Sequence, residues 1–100
     1  MTAISTLYKD SLPPGVTGQT TVGTSAAQVK NLPVELATGV LLKAIVGNTG
    51  IIYVGFNASV TAANGFPLNP GDTIPLSIDS LEKVWIIGSA AGQVLAWIAQ

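Results

Sequence analysis

The sequence predicts an all-β protein: a single small antiparallel β-sandwich or jelly-roll-like barrel preceded by an extended N-terminal arm. Three observations carry this. Thr, Val and Ile recur in runs too short for helices. Eleven Gly and six Pro punctuate 100 residues, so turns must be frequent. The final stretch, Gln93 to Gln100, has a strand's alternation with apolar residues on both faces: Val94, Ala96 and Ile98 on one, Leu95, Trp97 and Ala99 on the other. One such face fills a core and the other needs a partner. In a chain that is 48% hydrophobic and only 9% charged, that surplus apolar face points to one subunit of an assembly.

The length suits one domain, which buries roughly 60 to 70% of the surface its unfolded chain exposes. Residues 1–19 carry Pro13-Pro14-Gly15 and Gly18 and sustain neither a period of 2 nor one of 3.6, so they read as the arm, with residues 20–100 as the sandwich domain. Ile4, Leu7, Tyr8 and Leu12 give the arm apolar anchors for docking on a neighbour; the alternative is a disordered terminus. Thr20 to Val29 suits a first strand, which Pro33 keeps from running on. In Val40 to Val46 the lone Lys43 sets Leu41, Lys43 and Ile45 outward and leaves Val40, Leu42, Ala44 and Val46 inward. Asn48-Thr49-Gly50 then Ile51 to Gly55 predict a hairpin back onto that strand.

Phe56 to Asn64 reads as an exposed loop closed by Asn64-Gly65, after which Phe66-Pro67-Leu68 returns to the core. Asn69-Pro70-Gly71-Asp72 places Pro and Gly at the centre of a type II turn. Thr73 to Ile78 alternates Ile74, Leu76 and Ile78 with small polar residues, and Pro75 assigns it to a sheet edge. Asp79 to Glu82 suits a single turn. Val84 to Ser89, joined through Ala90-Ala91-Gly92 to the last strand, predicts a second hairpin that holds both Trp85 and Trp97.

Chemistry is sparse. The net charge is −1, the four Lys are scattered and Arg is absent, so no basic stripe exists for nucleic acid. Without cysteine the fold has no disulfide and no thiolate metal site. Met1 to Asp10 lacks the pattern of a signal peptide, and every apolar run is far shorter than the ~20 residues of a membrane span; a soluble protein not secreted by its own signal is expected. With no histidine or cysteine, no group is poised near neutrality for acid–base or nucleophilic work, so an enzyme is not expected. Glu35, Asp72, Asp79 and Glu82 lie at turns or strand ends, where capping or solvation outweighs catalysis or calcium binding. No metal or cofactor is expected. Gly47 and Gly50 are turn glycines, with no phosphate-loop sequence around them. Asn57-Ala58-Ser59 matches a glycosylation sequon that has no consequence without secretion. Trp85 and Trp97 either stack on sugar rings or are buried in core or interface; Gln93, Ser89 and Lys83 are the few polar groups near them in sequence.

Asn48-Thr49-Gly50, Tyr53-Val54-Gly55, Val60-Thr61-Ala62, Asn64-Gly65-Phe66-Pro67-Leu68, Pro70-Gly71 and Val84-Trp85-Ile86-Ile87-Gly88 together resemble small β-sandwich structural proteins of tailed bacteriophages, such as head decoration (cement) proteins. The resemblance covers roughly half the chain, rests on turn and strand residues, and matches no functional residue one by one. It implies a non-enzymatic virion protein, made in the host cytoplasm, that sits on the capsid surface, commonly as a homotrimer, and stabilises the head by binding the major capsid protein. On this reading subunits join through Leu41, Ile45, Leu95, Trp97 and Ala99, while Ile4, Leu7, Tyr8 and Leu12 contact the capsid. The alternative is a fibre or baseplate module that binds host surface glycans through Trp85, Trp97 or the loop from Phe56 to Asn64.

Overall fold

The computed structural model describes residues 15–30, 36 and 39–100. Among them run eight strands: β1 (Val16–Val22), β2 (Ala27–Gln28), β3 (Val40–Ala44), β4 (Ile52–Gly55), β5 (Phe66–Leu68), β6 (Thr73–Leu76), β7 (Trp85–Gly88) and β8 (Gln93–Ala99). A single 3₁₀ turn, Leu81–Lys83, precedes β7. The strands form two antiparallel sheets, ordered β1-β8-β3-β6 and β2-β7-β4-β5.

The pairings share one origin. Val16 lies opposite Ala99, Ala27 opposite Ile86, Val40 opposite Leu76 and Ile52 opposite Leu68. The chain is thus a long two-stranded ribbon doubled back at the loop between β4 and β5. Wrapping that ribbon on itself adds the β3–β8 and β4–β7 contacts and closes both sheets. This is the double Greek key of an eight-stranded jelly roll, in agreement with the sequence reading.

Local placements agree with the sequence in part. β3 alternates buried and exposed residues, with Leu41 and Lys43 outward, as Lys43 requires. β6 is an edge strand, consistent with Pro75. At the turn before it Gly71 has φ of 90°, and the Asp72 N–H donates to the Asn69 carbonyl at 2.9 Å, as a type II turn demands. Val46, expected inward, is exposed, because β3 ends at Ala44 and the chain turns away. β1 begins at Val16, four residues before Thr20, and the stretch expected to be one strand to Val29 is divided between β1 and β2 in different sheets. Residues 1–14, with Ile4, Leu7, Tyr8 and Leu12, lie outside the described residues.

Neither predicted hairpin forms. β3 and β4 belong to different sheets, and so do β7 and β8. Turn residues between two apolar runs suit a hairpin and a crossover between sheets equally; the outcome depends on distant partners. Both edges of β3 are occupied by β6 and β8, which leaves no site for β4. Side chains replace the ladder bonds that a hairpin would supply. Asn48 Oδ1 accepts from the Val94 N–H at 2.8 Å and its Nδ2 donates to the Val94 carbonyl at 3.0 Å, so its carboxamide pairs with β8 as a backbone residue would. Gln93 is only 2% exposed; its Oε1 accepts from the Thr49 and Gly50 N–H groups at 3.0 and 2.8 Å, and its Nε2 donates to Thr49 Oγ1 and the Ala91 carbonyl. Ser89 Oγ accepts from the Ile51 N–H at 2.9 Å. The two crossovers are thereby tied together at one corner of the sandwich.

The core lies between the sheets and includes Val22, Leu42, Ile52, Leu68, Leu81, Val84, Ile86, Leu95 and Trp97. Gly18, Trp97, Leu42 and Ile74 form one row across the inner face of the first sheet. The indole lies over Gly18, where an added Cβ would come within 2.5 Å of Trp97 Cζ2, so that row requires glycine beside tryptophan.

Gln93→Leu keeps the volume but leaves the Thr49 and Gly50 N–H groups unmatched. It should lower unfolding free energy by ~2–4 kcal/mol in chemical denaturation.

Candidate functional site

No catalytic constellation is present among the described residues. Asp72 accepts from its own turn, the Asn69 N–H at 3.0 Å. Asp79 forms an exposed ion pair with Lys83 at 2.7 Å, whose hydrogen bond and charge hold the Asp79 carboxyl below its ordinary value. No three His, Cys, Asp or Glu side chains among these residues gather as a metal site. Glu35 lies outside the described residues.

The feature that sets this surface apart is the outer face of the β1-β8-β3-β6 sheet. Register places Thr17, Ile98, Leu41 and Pro75 in one row across it, and Gln19, Ala96, Lys43 and Thr73 in the next. Ile98 is 60% exposed and its neighbour Leu41 41%. Lys43 is the single charge in these two rows. The Leu41–Ile98 pair stands as a ridge between two hollows of about 330 and 230 Å³, the first bordered by Pro75 and Leu76, the second by Thr17, Lys43, Thr73 and Ala96.

The face of β8 expected to meet a partner is the inner one. Leu95, Trp97 and Ala99 are buried in the core, while Val94, Ala96 and Ile98 look outward. Alternation defines two sets but not which of them faces in; the inner set is decided by Leu42 of β3 and Gly18 of β1, which pair with Trp97. Of the expected interface residues, Leu41 is exposed and Ile45 half-buried on the outer side. Ile98, the most exposed residue of this ridge, belongs to the other apolar face of the last strand that the sequence reading describes, not to the set Leu95, Trp97 and Ala99. Burial likewise removes Trp97 from any sugar-stacking role, and Trp85 is half-buried on β7.

A second surface lies at the ribbon's tip. Phe56 and Phe66 flank the loop between β4 and β5 and are 60% and 55% exposed. Of Phe66-Pro67-Leu68, expected to return to the core, Leu68 does so and Phe66 stays exposed. Both rings border a cleft of about 320 Å³ with Asn57 and Asn64.

No family model matches the chain, and no curated protein matches it. Among solved structures, it is similar to a chain of Bacillus endospore appendages, described as a novel family of disulfide-linked pili, at 18% identity over 87% of this chain and 85% of that one, with a TM-score of 0.52. The likeness is one of fold.

The two sides of β8 should respond differently to substitution. Trp97→Ala should cost ~3–5 kcal/mol of stability, whereas Ile98→Ser should stay within ~0.5 kcal/mol for the monomer, measured by chemical denaturation. Stability should also be flat between about pH 5 and 8, since no histidine or cysteine is present to titrate there. Because the folded Asp79 value is depressed, its contribution is complete above the unfolded value and is lost as pH falls through the folded one, so any decline belongs to acid solution. Thermal melts from about pH 2 to 8 check both statements.

Proposed function

We propose that the chain is a non-enzymatic structural subunit that assembles with copies of itself through the outer face of the β1-β8-β3-β6 sheet, as a decoration protein on the head of a tailed phage. The observation that carries the assembly is the Leu41–Ile98 ridge, apolar and exposed on a face with Lys43 as its only charge in two rows. Burial of such a face stabilises by ~25 cal/mol per Å², less the entropic cost of association, and a specific contact buries ~800 Å² per partner. Of the two four-stranded sheets this one has the longer strands.

The capsid assignment rests on the resemblance of the Asn48 to Trp97 segment to phage head proteins. On it, a homotrimer presents the arm residues Ile4, Leu7, Tyr8 and Leu12 to the major capsid protein on the virion surface. Several weak arm contacts then add by avidity, so no single one need be strong. The fold is shared with a protein of disulfide-linked pili, which makes an appendage subunit the second reading; this chain has no cysteine, so it cannot make that covalent link.

Light scattering coupled to size exclusion tests both. A discrete trimer that binds capsids supports decoration. Masses that grow without limit as concentration rises would favour a filament and overturn the capsid assignment. A concentration-independent monomer would overturn assembly altogether. Leu41→Asp with Ile98→Asp should convert the oligomer to a folded monomer.

A further inference from the structure

We propose that the cleft at the ribbon's tip is a binding site for a neutral saccharide, beyond the assembly role and independent of it. The sequence contains two phenylalanines, and both stand on this cleft instead of in the core. Each, at 60% and 55% exposure, gives up roughly half of the ~1.5–3 kcal/mol that full burial of such a side chain contributes. In a chain otherwise economical with aromatic residues, that placement requires a reason at the surface.

The loop that presents them is braced by its own hydrogen bonds. Val60 is 4% exposed and sits against Gly55 and Gly65, at each of which a Cβ would come within 3.0 Å of its side chain. Asn57 Oδ1 accepts from the Ser59 N–H at 2.8 Å, and Asn64 Oδ1 accepts from the Thr61 N–H at 2.7 Å while its Nδ2 donates to the Ser59 carbonyl at 3.0 Å. Backbone bonds from the Val60, Asn64 and Gly65 N–H groups complete the loop. The backbone that carries the rings is therefore set before any ligand arrives, which lowers the ordering cost of binding.

The lining selects the ligand class. No charged side chain occurs from Ala44 to Gly71 and none lines the cleft, so it has no counter-charge for a phosphate, a carboxylate or an ammonium group and suits a neutral ligand. It offers two phenylalanine rings and the carboxamide Nδ2 of Asn57, which is unengaged among the described residues. Aromatic faces take the C–H face of a pyranose, and a carboxamide donor takes a ring hydroxyl. A volume of about 320 Å³ lies at the small end of the ~300–1,000 Å³ of ligand sites, which suits a mono- or disaccharide unit.

The test is an NMR titration of the isotopically labelled full chain with methyl glycosides of neutral hexoses and of N-acetylhexosamines, into the millimolar range. Saturable shifts of the Phe56, Asn57, Asn64 and Phe66 amides are expected with at least one of them. Phe56→Ala and Phe66→Ala should each weaken binding ~10-fold or more, with unchanged melting temperature, and Phe56→Tyr should retain it. The variant with Leu41→Asp and Ile98→Asp should bind as wild type does, which separates failure of the assembly surface from failure of this site. No saturable shift with any of these glycosides, or binding that survives both alanine variants, would overturn the proposal. So would loss of self-association in the phenylalanine variants, which would assign the rings to a protein contact.

Discussion

The fold depends on a polar corner inside an apolar chain. A ribbon of two strands can wrap into two sheets only where it crosses from one sheet to the other, and each crossing interrupts ladder bonds that burial would leave unmatched. Gln93 and Asn48 supply the missing partners at adjacent crossings, and Ser89 adds a third. Gln93 is nearly inaccessible to water, so its hydrogen bonds form in a setting where they are strong and where their loss is costly. With that corner in place β8 lies between β1 and β3, and the inner row of Gly18, Trp97 and Leu42 is assembled.

This row dictates the two outer surfaces. Once Trp97 and its neighbours turn inward, alternation leaves Ile98, Ala96 and Val94 to face solvent beside Leu41, and little charge is available to cover them. The same ribbon must reverse once, and the reversal falls between β4 and β5, where Gly55 and Gly65 admit Val60 and lift both phenylalanines to the surface. An apolar sheet face suits broad contact with another protein, whereas a small cleft bordered by two rings suits a compact ligand. These are separable surfaces on one scaffold, one belonging to the β1-β8-β3-β6 sheet and the other to the β4–β5 reversal of the other sheet.

Periodicity and turn chemistry are legible without the fold. Lys43 sets the outward side of β3, Pro75 identifies an edge strand, and Asn69-Pro70-Gly71-Asp72 announces its turn, each through a local rule that acts within a few residues. The two expected hairpins fail for the opposite reason. Asn48-Thr49-Gly50 and Ala90-Ala91-Gly92 are compatible with a tight turn and with a crossover, and the choice rests on residues more than forty positions away, as the Asn48 to Val94 bonds show. The side chain of Asn48 carries a pairing that no local pattern records.

The sequence by itself determined the class of the fold: short β-prone runs between Gly and Pro turns, no histidine or cysteine, and more apolar surface than one core absorbs. Those properties are sums over residues or patterns with a period of two, and they need no knowledge of partners. Tertiary structure decided which apolar set of β8 is core and which is surface, since both sets are hydrophobic and only the register with Gly18 and Leu42 breaks the tie. It also decided that Phe66 faces solvent while Leu68, two residues on, is buried. A strand's alternation names two faces; the partner strands choose between them.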